Sequence, residues 1–340
     1  MSRILVTGGL GYIGSHTVVE LLESGYEVTI IDNLMNSSLQ VLEGIKSITG
    51  RTPEFAFVDL REKAAVDAFF EDHTIDGVIH FAASKAVGES VANPLLYYEN
   101  NITTLVYLLE NCIKHKVSKF IFSSSCTVYG QPDILPITEE APVKPALSPY
   151  GNTKQIGEEI LRDCSRANGL QVIALRYFNP IGAHPTALIG ELPIGVPQNL
   201  VPFITQTAIG LRKELAVFGD DYPTRDGSCI RDYIHVVDLA NAHMVALERL
   251  LGDHQKQPFE IFNIGTGAGS TVLEVVHAFE EVTGVALNYR ITHRRPGDVI
   301  SVYACTDKAE NQLGWKATRS LAQALESAWK WEKAYCATKD

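Results

Sequence analysis

At 340 residues, with 46% hydrophobic and 20% charged side chains, the chain has the make-up of an ordinary globular protein, long enough for one large core or two moderate ones. Its 29 basic and 40 acidic residues leave a net charge of −11. That balance argues against nucleic acid as the main partner, so an anionic ligand must be met by local cations and backbone amides. No apolar run approaches the length of a membrane span, the six scattered cysteines show no zinc spacing, and no signal-peptide pattern opens the chain. The expectation is a cytoplasmic protein without a metal; five of the histidines, His16, His80, His184, His235 and His243, likewise lack ligand spacing.

Up to about residue 180, short β-branched runs alternate with amphipathic segments. Residues 4–6, 28–31, 55–58, 77–81, 120–122 and 172–175 read as buried parallel strands, and helical patterns cover 17–24, 97–115 and 150–168. This alternation predicts an α/β fold with a doubly wound parallel sheet of the Rossmann type. Beyond Asn179 the texture changes: residues 180–230 are rich in proline and glycine, followed by a helix near 237–251, a strand at 259–264 and a helix near 271–282. The expected division is a dinucleotide-binding domain over 1–180 and a smaller mixed α/β substrate lobe over 181–340. The boundary is approximate, since later segments can rejoin the first part. The ligand cleft should lie between the two.

Two local patterns carry chemistry. Gly8, Gly11 and Gly14 follow the first strand directly and open the first helix, as a loop that brings backbone amides to a pyrophosphate requires. Eighteen residues later Asp32 ends the second strand, where a carboxylate binds a ribose diol; an acid there, followed by Asn33, favours NAD over NADP. The second pattern is Tyr150 with Lys154, one helical turn apart on one face. A lysine there favours the ionised phenol, and lowering a tyrosine pKa from about 10 to near 7 takes ~4 kcal/mol. The product would be a usable general base for a hydroxyl.

The chain resembles the extended short-chain dehydrogenase/reductase superfamily and, more narrowly, the UDP-galactose 4-epimerases. The strings that carry the resemblance include Asp32-Asn33-Leu34, Phe122-Ser123-Ser124-Ser125-Cys126-Thr127-Val128-Tyr129-Gly130, Ser148-Pro149-Tyr150-Gly151-Asn152-Thr153-Lys154 and Arg176-Tyr177-Phe178-Asn179-Pro180. Ala83 and Cys126 depart from the family's commoner glycine and alanine.

The resemblance implies interconversion of UDP-galactose and UDP-glucose by reversible C4 oxidation with tightly bound NAD, rotation of the 4-keto sugar and re-reduction. It implies Tyr150 as base, Lys154 as its cationic neighbour and Ser125 as a hydrogen-bond partner of the same sugar oxygen. It adds Tyr12, Ile13, Asn33, Asn36, Ser37, Asp59, Leu60, Phe81, Ala82, Lys85, Asn100 and Phe178 around NAD, with Lys85 also near the substrate. For the UDP-hexose it implies Asn179, Asn199, Leu200, the run Leu215, Ala216, Val217 and Phe218, then Arg231, Tyr233, Arg295, Asp298 and Val302. Arg231 and Arg295 are the pyrophosphate cations of that set. Val302 falls where the family gates the sugar's C2 substituent; a small residue there leaves room for an N-acetyl group, whereas a one-residue slip would bring Tyr303 to that place. A homodimer through the helices near 97–116 and 150–168 is also implied.

Alternatives remain. A nucleotide-sugar 4,6-dehydratase shares fold, NAD, tyrosine and lysine, but in those relatives an Asp-Glu pair follows the strand-end threonine, where this chain has Ser125-Cys126-Thr127. A reductase that releases its cofactor would consume NADH with a free ketone. A non-catalytic nucleotide-sensing module would be favoured by loss of the tyrosine or lysine, and both are present. Cys126 is either a reactive thiol lowered by a nearby cation or a small buried filler.

Overall fold

The computed structural model describes residues 2–295 and 298–338. Its first half runs β1 (Arg3–Thr7), α1 (Tyr12–Glu23), β2 (Glu27–Asp32), α2 (Gln40–Thr49), β3 (Glu54–Phe57), α3 (Lys63–Asp72), β4 (Gly77–His80), α4 (Val87–Ala92), α5 (Pro94–Tyr98), α6 (Thr104–Lys114), β5 (Lys119–Ser125), α7 (Pro149–Asn168) and β6 (Gln171–Tyr177). The second half adds β7 (Asn179–Ile181), α8 (Leu200–Ala208), β8 (Leu215–Phe218), β9 (Ile230–His235), α9 (Val236–Leu251), β10 (Phe259–Ile264), β11 (Gly269–Thr271), α10 (Val272–Thr283), β12 (Tyr289–Thr292), β13 (Ser301–Val302) and α11 (Leu321–Ala337).

Seven strands form one parallel sheet in the order β10-β6-β5-β4-β1-β2-β3. Residues 4–7, 28–32, 77–80 and 120–125 are buried throughout, so these strands lie between two helical layers and need apolar side chains on both faces. One layer packs Val18, Val19 and Leu22 of α1 with Leu239, Ala246 and Leu250 of α9; the other packs Phe69 and Phe70 of α3 with Leu105 and Leu109 of α6 and Leu161 of α7. The second half builds two small sheets, β11-β9-β13 with β7 beside β9, and β8 with β12. Helices α8, α10 and α11 close over them through Ile204, Val276, Phe279 and Leu325. Late segments do rejoin the first part: β10 pairs in parallel with β6, and α9 packs beside α1.

The segment expected as a single helix over 97–115 is in three pieces. A π-helical turn, Glu99–Thr103, separates α5 from α6. That wider turn carries Asn101, 6% exposed, whose amide is bonded to residues of two other elements, a constraint that no periodicity count reveals.

Candidate active site

In an open parallel sheet the crevice forms beyond the carboxyl ends of the strands, at the point where winding reverses, here between β1 and β4. Gly8 follows β1 at φ +67°, and a Cβ there would stand 2.8 Å from the Ala82 amide nitrogen in the loop after β4. At Gly14 a Cβ would fall on the Gly8 carbonyl oxygen and 2.9 Å from the Gly9 Cα. Only glycine lets the first turn of α1 approach its own loop this closely. Gly11 is the N-cap of α1 and offers no side-chain cap, which leaves the amides of Tyr12 and Ile13 to meet an anion at the positive end of the helix. Asp32, 9% exposed, accepts from the Leu10 amide (3.1 Å) through one oxygen, and from the Leu34 amide (2.9 Å) and the Ser37 hydroxyl (2.8 Å) through the other. An uncapped helix end, a loop that a Cβ would fill, and a fixed carboxylate at the strand end fit a dinucleotide with a free ribose diol.

The remaining expected cofactor residues are placed unevenly. Asn33 donates to Asp59 (3.2 Å), whose carboxylate Arg61 grips through Nε (3.0 Å) and Nη2 (2.6 Å), holding the carboxyl down to about 2. Asn36 is exposed and Leu60 is part of the core. Phe81 packs on His243 with ring centroids 4.6 Å apart, and the Ala82 amide donates to the Thr7 hydroxyl (3.3 Å). Lys85 extends to Glu191 (3.1 Å), and the same oxygen of Glu191 accepts from Asn199 (2.6 Å). Asn100 donates to the Ser84 hydroxyl (3.0 Å).

Ser125 ends β5, while Tyr150 and Lys154 sit in the first turns of α7. That helix starts where it does because Ser148 caps the Gly151 amide (3.2 Å) and Pro149, with no amide to satisfy, occupies the first position. All three side chains are buried. The Lys154 ammonium donates to the Ser123 carbonyl (2.7 Å) and lies 5.9 Å from the centre of the Tyr150 ring. In the protein without cofactor, burial pushes the Tyr150 phenol up to about 12, against the opposing pull of the Ser125 hydrogen bond. Burial also draws Lys154 down to about 8, opposed by the charge of Glu158. Desolvation dominates in the protein alone, and positive charge added at the site would favour the ionised phenol.

Burial raises the Cys126 thiol to about 12, although Arg231 pulls it the other way. It is therefore a protonated packing group at neutral pH and not a reactive thiolate.

On the second half, Arg231 of β9 and Arg295 converge on Asp298. Arg295 donates through Nη2 (2.8 Å) and Nε (3.2 Å), and Arg231 Nη2 stands 3.6 Å away. The Arg295 guanidinium lies 5.4 Å from the centre of the Phe218 ring. Asn179 pairs in register with Tyr233, and Asn199 precedes α8 as its N-cap. In β8 the period of two sends Leu215 and Val217 into the core beside Ile204, with Leu200 packed on the same cluster. Ala216 is half-buried and Phe218 exposed, so these two are the members of that run left toward the surface. Val302 pairs with Arg231 and packs with Val128, Phe178, Cys126 and Val299. The ring of Tyr303 instead lies against Gly269, where a Cβ would come within 3.0 Å of it. Strand alternation thus turns Val302, and not Tyr303, toward Cys126 and Phe178.

With that geometry in hand, the likenesses to known proteins are specific. A family model described as GDP-mannose 4,6 dehydratase matches residues 5–328. The UDP-glucose 4-epimerase of Bacillus subtilis is 52% identical over 332 residues, 97% of either chain. The chain belongs to the first family and, within it, to the UDP-glucose 4-epimerases. Among solved structures of UDP-glucose 4-epimerases, that of Stenotrophomonas maltophila, with bound NAD and formylated UDP-arabinopyranose, superposes at a TM-score of 0.95 with 46% identity, covering 99% of this chain and 100% of that one. The Bifidobacterium longum enzyme, in complex with NAD+ and UDP, gives 0.94 and 46%, covering 98% of each. The parallel sheet with its smaller lobe is thus the fold of UDP-glucose 4-epimerases, within the extended short-chain dehydrogenase/reductases.

Several groups at the site escaped sequence reasoning. Thr153 donates to the Tyr150 carbonyl (2.7 Å) and accepts from Asn101 (3.0 Å). Asn101 in turn accepts from the Ser84 amide (2.8 Å) and donates to its carbonyl (3.0 Å), tying the Lys85 loop to the tyrosine's helix. The Asn-Asn pair at 100–101 was the available signal, but it reads equally as a solvated helix face.

Proposed function

We propose that the protein interconverts UDP-galactose and UDP-glucose by inverting C4 of the sugar, with NAD held throughout the cycle. The observation that carries this reading is the convergence of Ser125, Tyr150 and Lys154 near the end of β5, in a chain of this family that also carries a glycine loop fit for a dinucleotide. Gly8, Gly11, Gly14, Tyr12 and Ile13 would hold the diphosphate, Asp32 the adenosine ribose, and Lys154, Phe81 and Phe178 the nicotinamide end. Bound NAD supplies a reversible hydride acceptor and, when oxidised, a positive charge beside the phenol. Tyr150 Oη takes the proton of the sugar 4-hydroxyl and returns it after the 4-keto sugar has rotated. Ser125 Oγ bonds the same oxygen, so the proton path stays short on either face. Lys154 keeps the phenolate favoured once it forms, and the closed core around Val128 and Phe178 keeps water away. A 4,6-dehydratase would need an acid and a base near C5 and C6, and Cys126-Thr127 brings neither. Proton NMR of UDP-galactose with the purified protein and no added cofactor tests the assignment. Appearance of UDP-glucose to a constant ratio without NADH release supports it, and no conversion even with NAD supplied overturns it.

Arg231 and Arg295, already paired on one carboxylate, are suited to a diphosphate. Replacing Arg231 by Leu should raise KM for UDP-galactose by about 10–100-fold with a much smaller change in kcat. This is the effect of removing one charge-assisted contact of about 1.5–3 kcal/mol made equally in ground and transition states. Steady-state kinetics reads it directly.

A small side chain at Val302, where the family gates the sugar's C2 substituent, favours acceptance of UDP-N-acetylhexosamines as well. Val302→Tyr should then abolish turnover of UDP-N-acetylgalactosamine while UDP-galactose turnover survives. Failure of the unmodified protein to epimerise the N-acetylated sugar, beside good UDP-galactose turnover, would sink this extension. We also infer a homodimer in the cytoplasm. Supporting the dimer, Val91 (62% exposed) and Leu95 (80%) stand on α4 and α5 beside α7; light scattering after gel filtration measures the mass. Cys112, Cys126, Cys164, Cys229 and Cys305 are free thiols, which suits a reducing compartment.

A further inference from the structure

A buried ion pair lies directly behind the proposed catalytic lysine. Glu158, one turn after Lys154 on α7, is 3% exposed, and Arg176 on β6 is 2% exposed. Arg176 donates to the two carboxylate oxygens through Nε (2.8 Å) and Nη2 (2.5 Å), and the Ser124 hydroxyl donates to one of them (2.6 Å). Ser124 follows Ser123, whose carbonyl holds the Lys154 ammonium. The guanidinium also lies 4.8 Å from the centre of the Tyr129 ring, and the Tyr129 hydroxyl donates to the Asn263 side chain (2.7 Å) on β10. Burying two opposite charges adds little stability over an apolar pair of the same size. The arrangement makes sense as a fixed negative charge beside an ammonium that is itself removed from water.

We propose that Glu158 is a positioning residue for the proposed epimerisation. Its carboxylate, oriented by Arg176 and Ser124, keeps Lys154 protonated and seated on the Ser123 carbonyl across the working pH range. The idea rests on the reading of Lys154 as the cationic partner of Tyr150. Other groups facing Lys154 do not supply this charge. His80 on β4 is driven to about 3 by burial and then by Lys154 itself, and so stays neutral. Without bound cofactor, Tyr150 on the same helix, Tyr177 on β6 and Cys126 after β5 are all raised by burial and carry no charge at neutral pH. Arg176 has the wrong sign. Glu158 is thus the negative charge in this neighbourhood, and its field opposes the desolvation of Lys154.

The test is the titration of Lys154 itself in the protein as purified, followed by NMR of lysine labelled with 13C at Cε, with Lys154→Met assigning the signal. Glu158→Gln keeps the shape and removes the charge. The Lys154 midpoint should drop by about one pH unit or more, the size expected when an opposite charge within a few ångströms is lost. The alkaline limb of kcat/KM should move down with it. Because Glu158→Gln leaves Arg176 without its partner, the double variant Glu158→Gln/Arg176→Met restores neutrality and should show a smaller shift in the same downward direction. An unchanged Lys154 midpoint in either folded variant, with only thermal stability reduced, would overturn the proposal. The NMR titration needs no turnover, so it separates this idea from the function: a protein that fails to convert UDP-galactose defeats the epimerase reading while the Lys154 midpoint still decides the role of Glu158.

Discussion

Tyr150→Phe is expected to lower kcat by about 10²–10⁴-fold, the range over which a positioned general acid–base acts, with KM for UDP-galactose little altered. The substitution removes one oxygen and leaves the ring, so the packing around a side chain 9% exposed is kept and thermal melting should barely move. The structure adds a second expectation. In the protein alone, burial holds this phenol near 12, so at neutral pH it is a proton donor. On the proposed mechanism it would become a base when bound oxidised cofactor adds positive charge. Difference absorbance of tyrosinate, unmodified protein minus Tyr150→Phe, should therefore show a midpoint well below 12 in the NAD-loaded form and near 12 after the cofactor is removed. Retention of more than a tenth of the activity in Tyr150→Phe would transfer the proton to another group, with Ser125 the nearest alternative.

Gly14→Ala should produce the second large effect, and it works through the backbone. The added Cβ meets the carbonyl of Gly8 and the Cα of Gly9, two main-chain atoms that cannot turn aside as a flexible side chain would. Relief demands that α1 back away from the loop, which would move the amides of Tyr12 and Ile13 away from the diphosphate they are proposed to hold. Overpacking of this kind costs typically about 1–3 kcal/mol of stability, occasionally more. The functional loss should be greater: the protein should purify with little or no NAD, measured by absorbance and by fluorescence after reduction. Gly25→Ala, at a glycine with open space around it, is the contrasting control for general effects of glycine replacement, with φ +91° costing backbone strain but no clash. Full NAD occupancy in Gly14→Ala would refute the cradle.

The sequence made the main sheet legible because buried parallel strands are short apolar runs bounded by glycine or acid, and six of the seven occur in the first 180 residues. The helix ends were harder. Periodicity opened the first helix at Thr17, whereas it starts at Tyr12, since Gly11 and Gly14 carry no side chain to signal a face. Strands of two to six residues such as β7, β9, β11 and β13 sit among prolines and glycines and make sense only once paired with each other. At the site, Tyr150, Lys154 and the glycine loop stood out because their spacing itself encodes geometry. Glu158, Arg176 and Asn101 did not, because their partners come from elements 17 to 52 positions away and no local pattern records them. The burial of Tyr150 was hidden for a related reason: spacing reveals a neighbouring charge but not how much water is removed.

The return of β10 to the main sheet has a consequence for how the chain is made. Until Phe259–Ile264 has left the ribosome, β6 is an open edge with its ladder bonds unmade on one side. At typical synthesis speeds, the 87 residues from Tyr177 to Ile264 take on the order of ten seconds to appear. During that interval the glycine loop, Asp32 and the tyrosine's helix all exist, yet the layer that α9 supplies against α1 is missing. The nascent N-terminal half is thus an unfinished sheet with a sticky margin, and its closing strand arrives only after α8, β8, β9 and α9 have been made. A translational pause or a premature stop between the two would expose that margin to other chains, so defects far downstream of the glycine loop would surface as aggregation of the half that carries it.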